Sequence, residues 1–117
     1  MAGVTTNGTY AVGTGNRSIT LAVIIGEGQI GTSRVRLGST ALVTATGPVT
    51  VNIGKPAAVK GKSVFIRTIV NDVNSLTDRM SVTYNFSGGP STQTKVARGA
   101  VSKPGKLLIF EATFSLT

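Results

Sequence analysis

The chain has no histidine, no cysteine and no tryptophan, and its 117 residues include only four carboxylates: Glu27, Asp72, Asp78 and Glu111. General acid–base catalysis, thiol nucleophiles and zinc sites are built from the residue types that are absent or scarce here. An enzyme is therefore not expected, and no catalytic, cofactor or metal site is assigned. The lack of cysteine excludes a disulfide framework and leaves the redox compartment open, since a chain of this length can bury a core without staples. The longest apolar run, Leu21-Ala22-Val23-Ile24-Ile25, falls far short of the roughly 20 residues of a membrane-spanning helix. The first residues, Met1 to Gly8, carry neither a basic nor an apolar segment. No signal peptide is expected, which suits cytoplasmic synthesis or incorporation into a particle.

Charge is sparse and one-sided. Charged residues make up 14% of the chain, yet the net charge is +8, because twelve of them are Lys or Arg. Soluble domains usually carry about 25% charged residues. The surface must then be mostly Thr, Ser, Asn and Gly with isolated cations, which suits a protein that spends its time in contact with something else.

Strand signals recur along the whole chain, punctuated by Gly, Pro, Asn and Ser. Gly8 to Val12 is a weak, Gly-flanked candidate, read as an edge. Between Arg17 and Ile25, Ile19, Leu21, Val23 and Ile25 alternate with Ser18, Thr20 and Ala22. From Gln29 to Leu37, Val35 and Leu37 face inward and Arg34 and Arg36 outward. Thr40 to Ala45 and Val49 to Ile53 flank Thr46-Gly47-Pro48 as a predicted hairpin. Gly54 to Lys62 reads as a loop, and Ser63 to Asn71, apolar on both faces, as a central strand. Met80, Val82, Tyr84 and Phe86 alternate with polar residues, as do Leu108, Phe110, Ala112, Phe114 and Leu116. Thr94 to Val101 is a weaker strand, followed by a Pro-Gly turn at Ser102 to Lys106. A helical turn is expected only between Asn71 and Arg79, and both chain ends are expected to be held in a sheet or a subunit contact.

About eight strands at this spacing predict one all-β domain over residues 1–117. The favoured architecture is an antiparallel β-sandwich, Ig-like or jelly-roll. The alternative is a small closed β-barrel, which would offer its interior to a small ligand.

The best metal candidate is the loop Asn71 to Asp78, where Asp72, Asn74 and Asp78 supply side-chain oxygens of the kind calcium takes. Asx-turns and caps explain the same residues more simply. Gly13-Thr14-Gly15, Gly26-Glu27-Gly28 and Gly88-Gly89-Pro90 read as turns, because no helix follows to complete a phosphate cradle. Three matches to the glycosylation sequon, at Asn7, Asn16 and Asn85, are read as chance in a chain so rich in Asn, Ser and Thr.

The cations are the candidate contact residues. Arg34 and Arg36 share a strand face, Lys55, Lys60 and Lys62 crowd one loop, and Lys95 and Arg98 cluster with Lys103 and Lys106 near the penultimate strand. The aromatics fall on core faces, leaving Tyr10 and Phe65 as the two that look free. The first expectation is a structural or protein-interaction module that self-assembles or docks on a larger complex, such as a viral or phage particle component. The alternative is a domain binding nucleic acid or another polyanion through the same cations.

Overall fold

The computed structural model describes residues 3–103 and 105–117. These residues form nine strands: β1 (Gly3–Tyr10), β2 (Ile19–Gly26), β3 (Ile30–Leu37), β4 (Thr40–Thr46), β5 (Val49–Gly54), β6 (Ser63–Asn71), β7 (Arg79–Ser87), β8 (Gln93–Ala100) and β9 (Leu107–Leu116). They form two sheets, a five-stranded one in the order β1-β9-β6-β3-β4 and a four-stranded one in the order β5-β2-β7-β8. No ladder joins the two sheets among the described residues, so the domain is a β-sandwich and not a closed barrel. All pairings are antiparallel except β1 with β9, which run parallel from Gly3↔Ile109 to Tyr10↔Leu116.

Period-two alternation explains the burial. Met80, Val82, Tyr84 and Phe86 of β7 and Leu108, Phe110, Ala112, Phe114 and Leu116 of β9 all point into the space between the sheets and are buried. Successive side chains of a strand point to opposite faces, so each strand places one row in the core. An aromatic cluster anchors one region of it. Tyr10 stacks on Phe86 at 5.0 Å, Phe86 meets Phe114 edge-on at 4.9 Å, and Tyr84 lies tilted 5.5 Å from Phe114. Offset and edge-on pairs of this kind add about 0.5–1.5 kcal/mol beyond area burial.

Tyr10 is therefore not a free aromatic. It is buried, and its hydroxyl donates to the Ser91 carbonyl at 2.6 Å while accepting from the Gly89 amide at 3.0 Å. This is how a phenol enters a core without an orphaned oxygen. The two sheets do not close into a barrel among the described residues, which removes the barrel interior as a ligand pocket. At the C-terminus, the Thr117 amide donates to the Tyr10 carbonyl and the Val12 amide to the Thr117 carbonyl, each at 2.9 Å. Thr117 is thus held as expected; Met1 lies outside the described residues, as does Pro104 of the predicted Pro-Gly turn.

Two local expectations are corrected. Thr46-Gly47-Pro48 does not close a hairpin: β4 pairs with β3 and β5 with β2, so the chain crosses here from one sheet to the other. Gly47 turns with φ of 85°, a left-handed conformation that suits glycine. The helical turn is α1 (Pro56–Val59), inside the segment read as loop, with Pro56 at its start and Pro56 and Val59 buried against the core. Proline is well suited to the first helical position, where its missing N–H has no partner to lose.

Candidate interaction surfaces

The outer face of the five-stranded sheet carries the densest charge. Arg34 and Arg36 of β3 point outward, as the alternation predicts. Arg34 stands opposite Arg67 of β6, and Arg67 in turn opposite Glu111 of β9. One row along, Arg36 stands opposite Phe65, and Phe65 opposite Thr113. The Arg36 guanidinium lies 4.5 Å from the Phe65 ring centroid. Phe65 is half-buried beneath it, not a bare stacking platform. A depression of about 300 Å3 opens among Arg34, Arg36, Phe65, Arg67, Glu111 and Thr113, and a second of about 180 Å3 lies between Arg34, Arg67 and Thr44. Sequence alone does not single out Arg67, because apolar residues on both faces of its strand mask it. Its signal was the period of two that places it between Phe65 and Ile69.

The other predicted contact residues do not join this face. Lys55 and Lys60 bracket α1, and Lys62 follows it; all three are exposed. The segment is pinned by the Gly61 amide to the Leu116 carbonyl at 2.8 Å and the Leu116 amide to the Lys62 carbonyl at 2.9 Å. It lies beyond the Ser63↔Ser115 end of the β6–β9 ladder, four residues from Arg67↔Glu111, or about 13 Å along the strands. Lys95 and Arg98 belong to β8, the edge of the other sheet. Arg98 stands opposite Ser81.

Lys95 is already employed. Its ammonium donates to the Asn7 carbonyl at 3.1 Å, and Gln93 Nε2 donates to the Thr9 carbonyl at 2.8 Å. Both carbonyls belong to β1, the edge of the five-stranded sheet. These side chains close the β1/β8 side of the sandwich and occupy backbone acceptors that an incoming strand would use.

The β4/β5 side is different. Thr40-Ala41-Leu42-Val43-Thr44-Ala45-Thr46 and Val49-Thr50-Val51-Asn52-Ile53-Gly54 contain no charged residue, and each strand is an edge. Leu42, Val43, Ala45 and Val51 pack against the core but remain only half-covered. Each strand has one irregularity, at Val35/Arg36 in the β3–β4 ladder and at Ile19/Thr20 in the β2–β5 ladder, leaving Val43 to Thr46 in regular register. The Gly47 amide bonds to the Gly31 carbonyl of β3 at 2.9 Å. Alternate residues of an antiparallel strand direct their amides to the same side. The Val43 and Ala45 amides therefore turn toward β3, and those of Thr44 and Thr46 toward the open edge.

The carboxylates are scattered. Glu27 occupies the β2–β3 turn at φ of 62°, and Glu111 lies on the arginine face. The loop between β6 and β7 is organised by buried Gln29. Its Oε1 accepts from the amides of Val73 and Asn74, and its Nε2 donates to the carbonyls of Thr77 and Arg79. Asn74 Oδ1 accepts from the Leu76 amide, an Asx-turn, and Asn74 Nδ2 donates to the Glu27 carbonyl. The Asx-turn reading of Asn74 is thus the one its geometry supports. Asp72 is buried. Hydrogen-bonding contact with Asp72 raises the Asp78 carboxyl above its ordinary value. No cluster of three or more acidic residues forms among the described residues.

Tyr84 is buried as well. Its hydroxyl has no partner among the described residues, and burial pushes its pKa upward. A hydroxyl so isolated has no base to exchange a proton with.

No protein-family model, curated protein or solved structure matches the chain.

Proposed function

We infer that the chain is a non-enzymatic structural module that associates with further copies of itself through the β4/β5 edge. The contrast between its two sides carries this reading. The β1/β8 side is closed by Lys95 and Gln93 on the carbonyls of β1. The β4/β5 side presents uncharged strands with half-covered apolar residues. Edge strands that must stay single are blunted by charge, proline, cover or a bulge; β4 has neither charge nor proline, and its one irregularity leaves Val43 to Thr46 in regular register. A two-fold axis beside β4 would pair it antiparallel with its copy and join two five-stranded sheets, the isologous arrangement most homo-oligomers use. That contact closes a dimer, and a particle or sheath component would need a further contact beside it.

The test is sedimentation velocity over a concentration series, with Thr44→Pro beside the unaltered chain. Proline at Thr44 removes an amide that faces the open edge while sparing the β3–β4 ladder. The unaltered chain should shift to a larger species with concentration and the variant should stay monomeric. A strict monomer at high concentration would count against self-association.

A second reading, docking on an anionic partner, is favoured by the cluster of Arg34, Arg36 and Arg67.

A further inference from the structure

The arginine face breaks a local rule of sheet construction. Like charges directly opposite each other on neighbouring strands destabilise the pairing, yet Arg34 and Arg67 occupy that position. One carboxylate, Glu111, stands in the same row beside Arg67. Positive charge therefore gathers on Arg34 and Arg36, the latter held against Phe65. Departures from local consistency concentrate where function requires them.

A second copy of the chain has nothing to offer this surface. Of its four carboxylates, Asp72 is buried and Glu111 already belongs to the arginine row. Glu27, in the β2–β3 turn, and half-buried Asp78, in the β6–β7 loop, are isolated carboxylates that make no acidic strand. The occupant must be another molecule.

The spacing decides between anions. Neighbouring strands lie about 4.8 Å apart, and alternate residues of one strand about 6.6 Å apart. The three arginines thus fall within about 10 Å, a compact patch. Lys62, in the turn after α1, lies three residues or about 10 Å beyond the Arg36–Phe65 row. Lys95 and Arg98 lie on the other sheet, so the outer face of the sheet itself carries three arginines and not a longer basic stripe to track a phosphate backbone. Nucleic-acid affinity comes from many phosphate contacts along such a stripe. An extended acidic peptide, by contrast, repeats its alternate carboxylates at about the same 6.6 Å that separates Arg34 from Arg36. Planar guanidiniums match carboxylates in bidentate geometry. The depressions of about 300 and 180 Å3 on the two flanks of the Arg34–Arg67 pair leave both guanidiniums open to a ligand.

We propose that the outer face of the five-stranded sheet docks an extended acidic segment of another protein, its carboxylates seated on Arg34, Arg36 and Arg67. This contact is separate from the β4/β5 edge, and either can fail without the other.

The probes are a hexaglutamate peptide and a six-nucleotide thymidylate strand, titrated calorimetrically at low salt into the full chain. Two charge-matched variants are compared: Arg34→Gln/Arg67→Gln and Lys55→Gln/Lys60→Gln. Loss of two charge-assisted contacts should weaken hexaglutamate binding about tenfold or more in the arginine variant, with less than about a twofold change in the lysine variant. Amide shifts on titrating the unaltered chain should centre on Arg34, Phe65 and Arg67. Equal loss in both variants, shifts centred on Lys55 to Lys62, tighter binding of the oligonucleotide, or no binding of hexaglutamate would each overturn the proposal.

Discussion

Arg34 and Arg67 stand directly opposite one another across the β3–β6 ladder, two cations where a stable sheet would place a complementary pair. Glu111 faces Arg67 from the next strand but leaves Arg34 without a partner in its own row other than Thr44 of β4. Replacing Arg34 with threonine, a good strand former, removes the repulsion without disturbing the core. Arg34→Thr should raise stability by about 0.2–1 kcal/mol. Chemical denaturation reads it as a higher midpoint at unchanged slope, and a lower midpoint would show that Arg34 contributes more to the fold than it costs.

Tyr84 offers a second stability gain. Its ring is fully buried beside Phe114, and its hydroxyl has no partner among the described residues. A buried unsatisfied hydroxyl costs about 1–3 kcal/mol. Tyr84→Phe keeps the ring and removes the oxygen, so thermal melting should show a chain at least as stable as the original. A loss of 1 kcal/mol or more would mean that the hydroxyl is satisfied in solution, by water for instance.

Asp72 and Asp78 predict the pH response. Contact with Asp72, with burial adding to it, raises the folded-state pKa of Asp78 above its unfolded value. The folded chain therefore holds this proton more tightly, and stability falls as pH rises from about 4 upward through the raised value. Asp78→Asn removes the second negative charge. Its melting temperature should change less over that window than that of the unaltered chain. Parallel pH profiles would show that the two carboxyls do not interact.

Much of this fold was legible because burial here follows a period of two. The rows Met80-Val82-Tyr84-Phe86 and Leu108-Phe110-Ala112-Phe114-Leu116 are visible in the sequence and form the core. Which strands pair is a long-range matter, and there local signals mislead. A Gly-Pro turn reads the same whether the strands on either side pair with each other or part to different sheets, as β4 and β5 do around Gly47. Tyr10 looked free because its neighbours are small and polar. Its burial depends on Phe86 and on the Gly89 and Ser91 backbone groups some 80 positions on. The contact residues were legible as cations but not as a group. Only pairing register could bring Arg67 beside Arg34, assign Lys95 to the β1/β8 side and leave Lys55, Lys60 and Lys62 around α1.

The open β4 edge can be interrogated residue by residue. The amides of Thr44 and Thr46 face outward, while those of Val43 and Ala45 turn toward β3, a parity that follows from the Gly47 to Gly31 hydrogen bond. Amide hydrogen exchange across a concentration series measures both sets at once. Self-association through β4 predicts that Thr44 and Thr46 exchange freely in dilute solution and become protected as concentration rises, with Ala45 protected throughout. Free exchange of Thr44 and Thr46 at every concentration would contradict it.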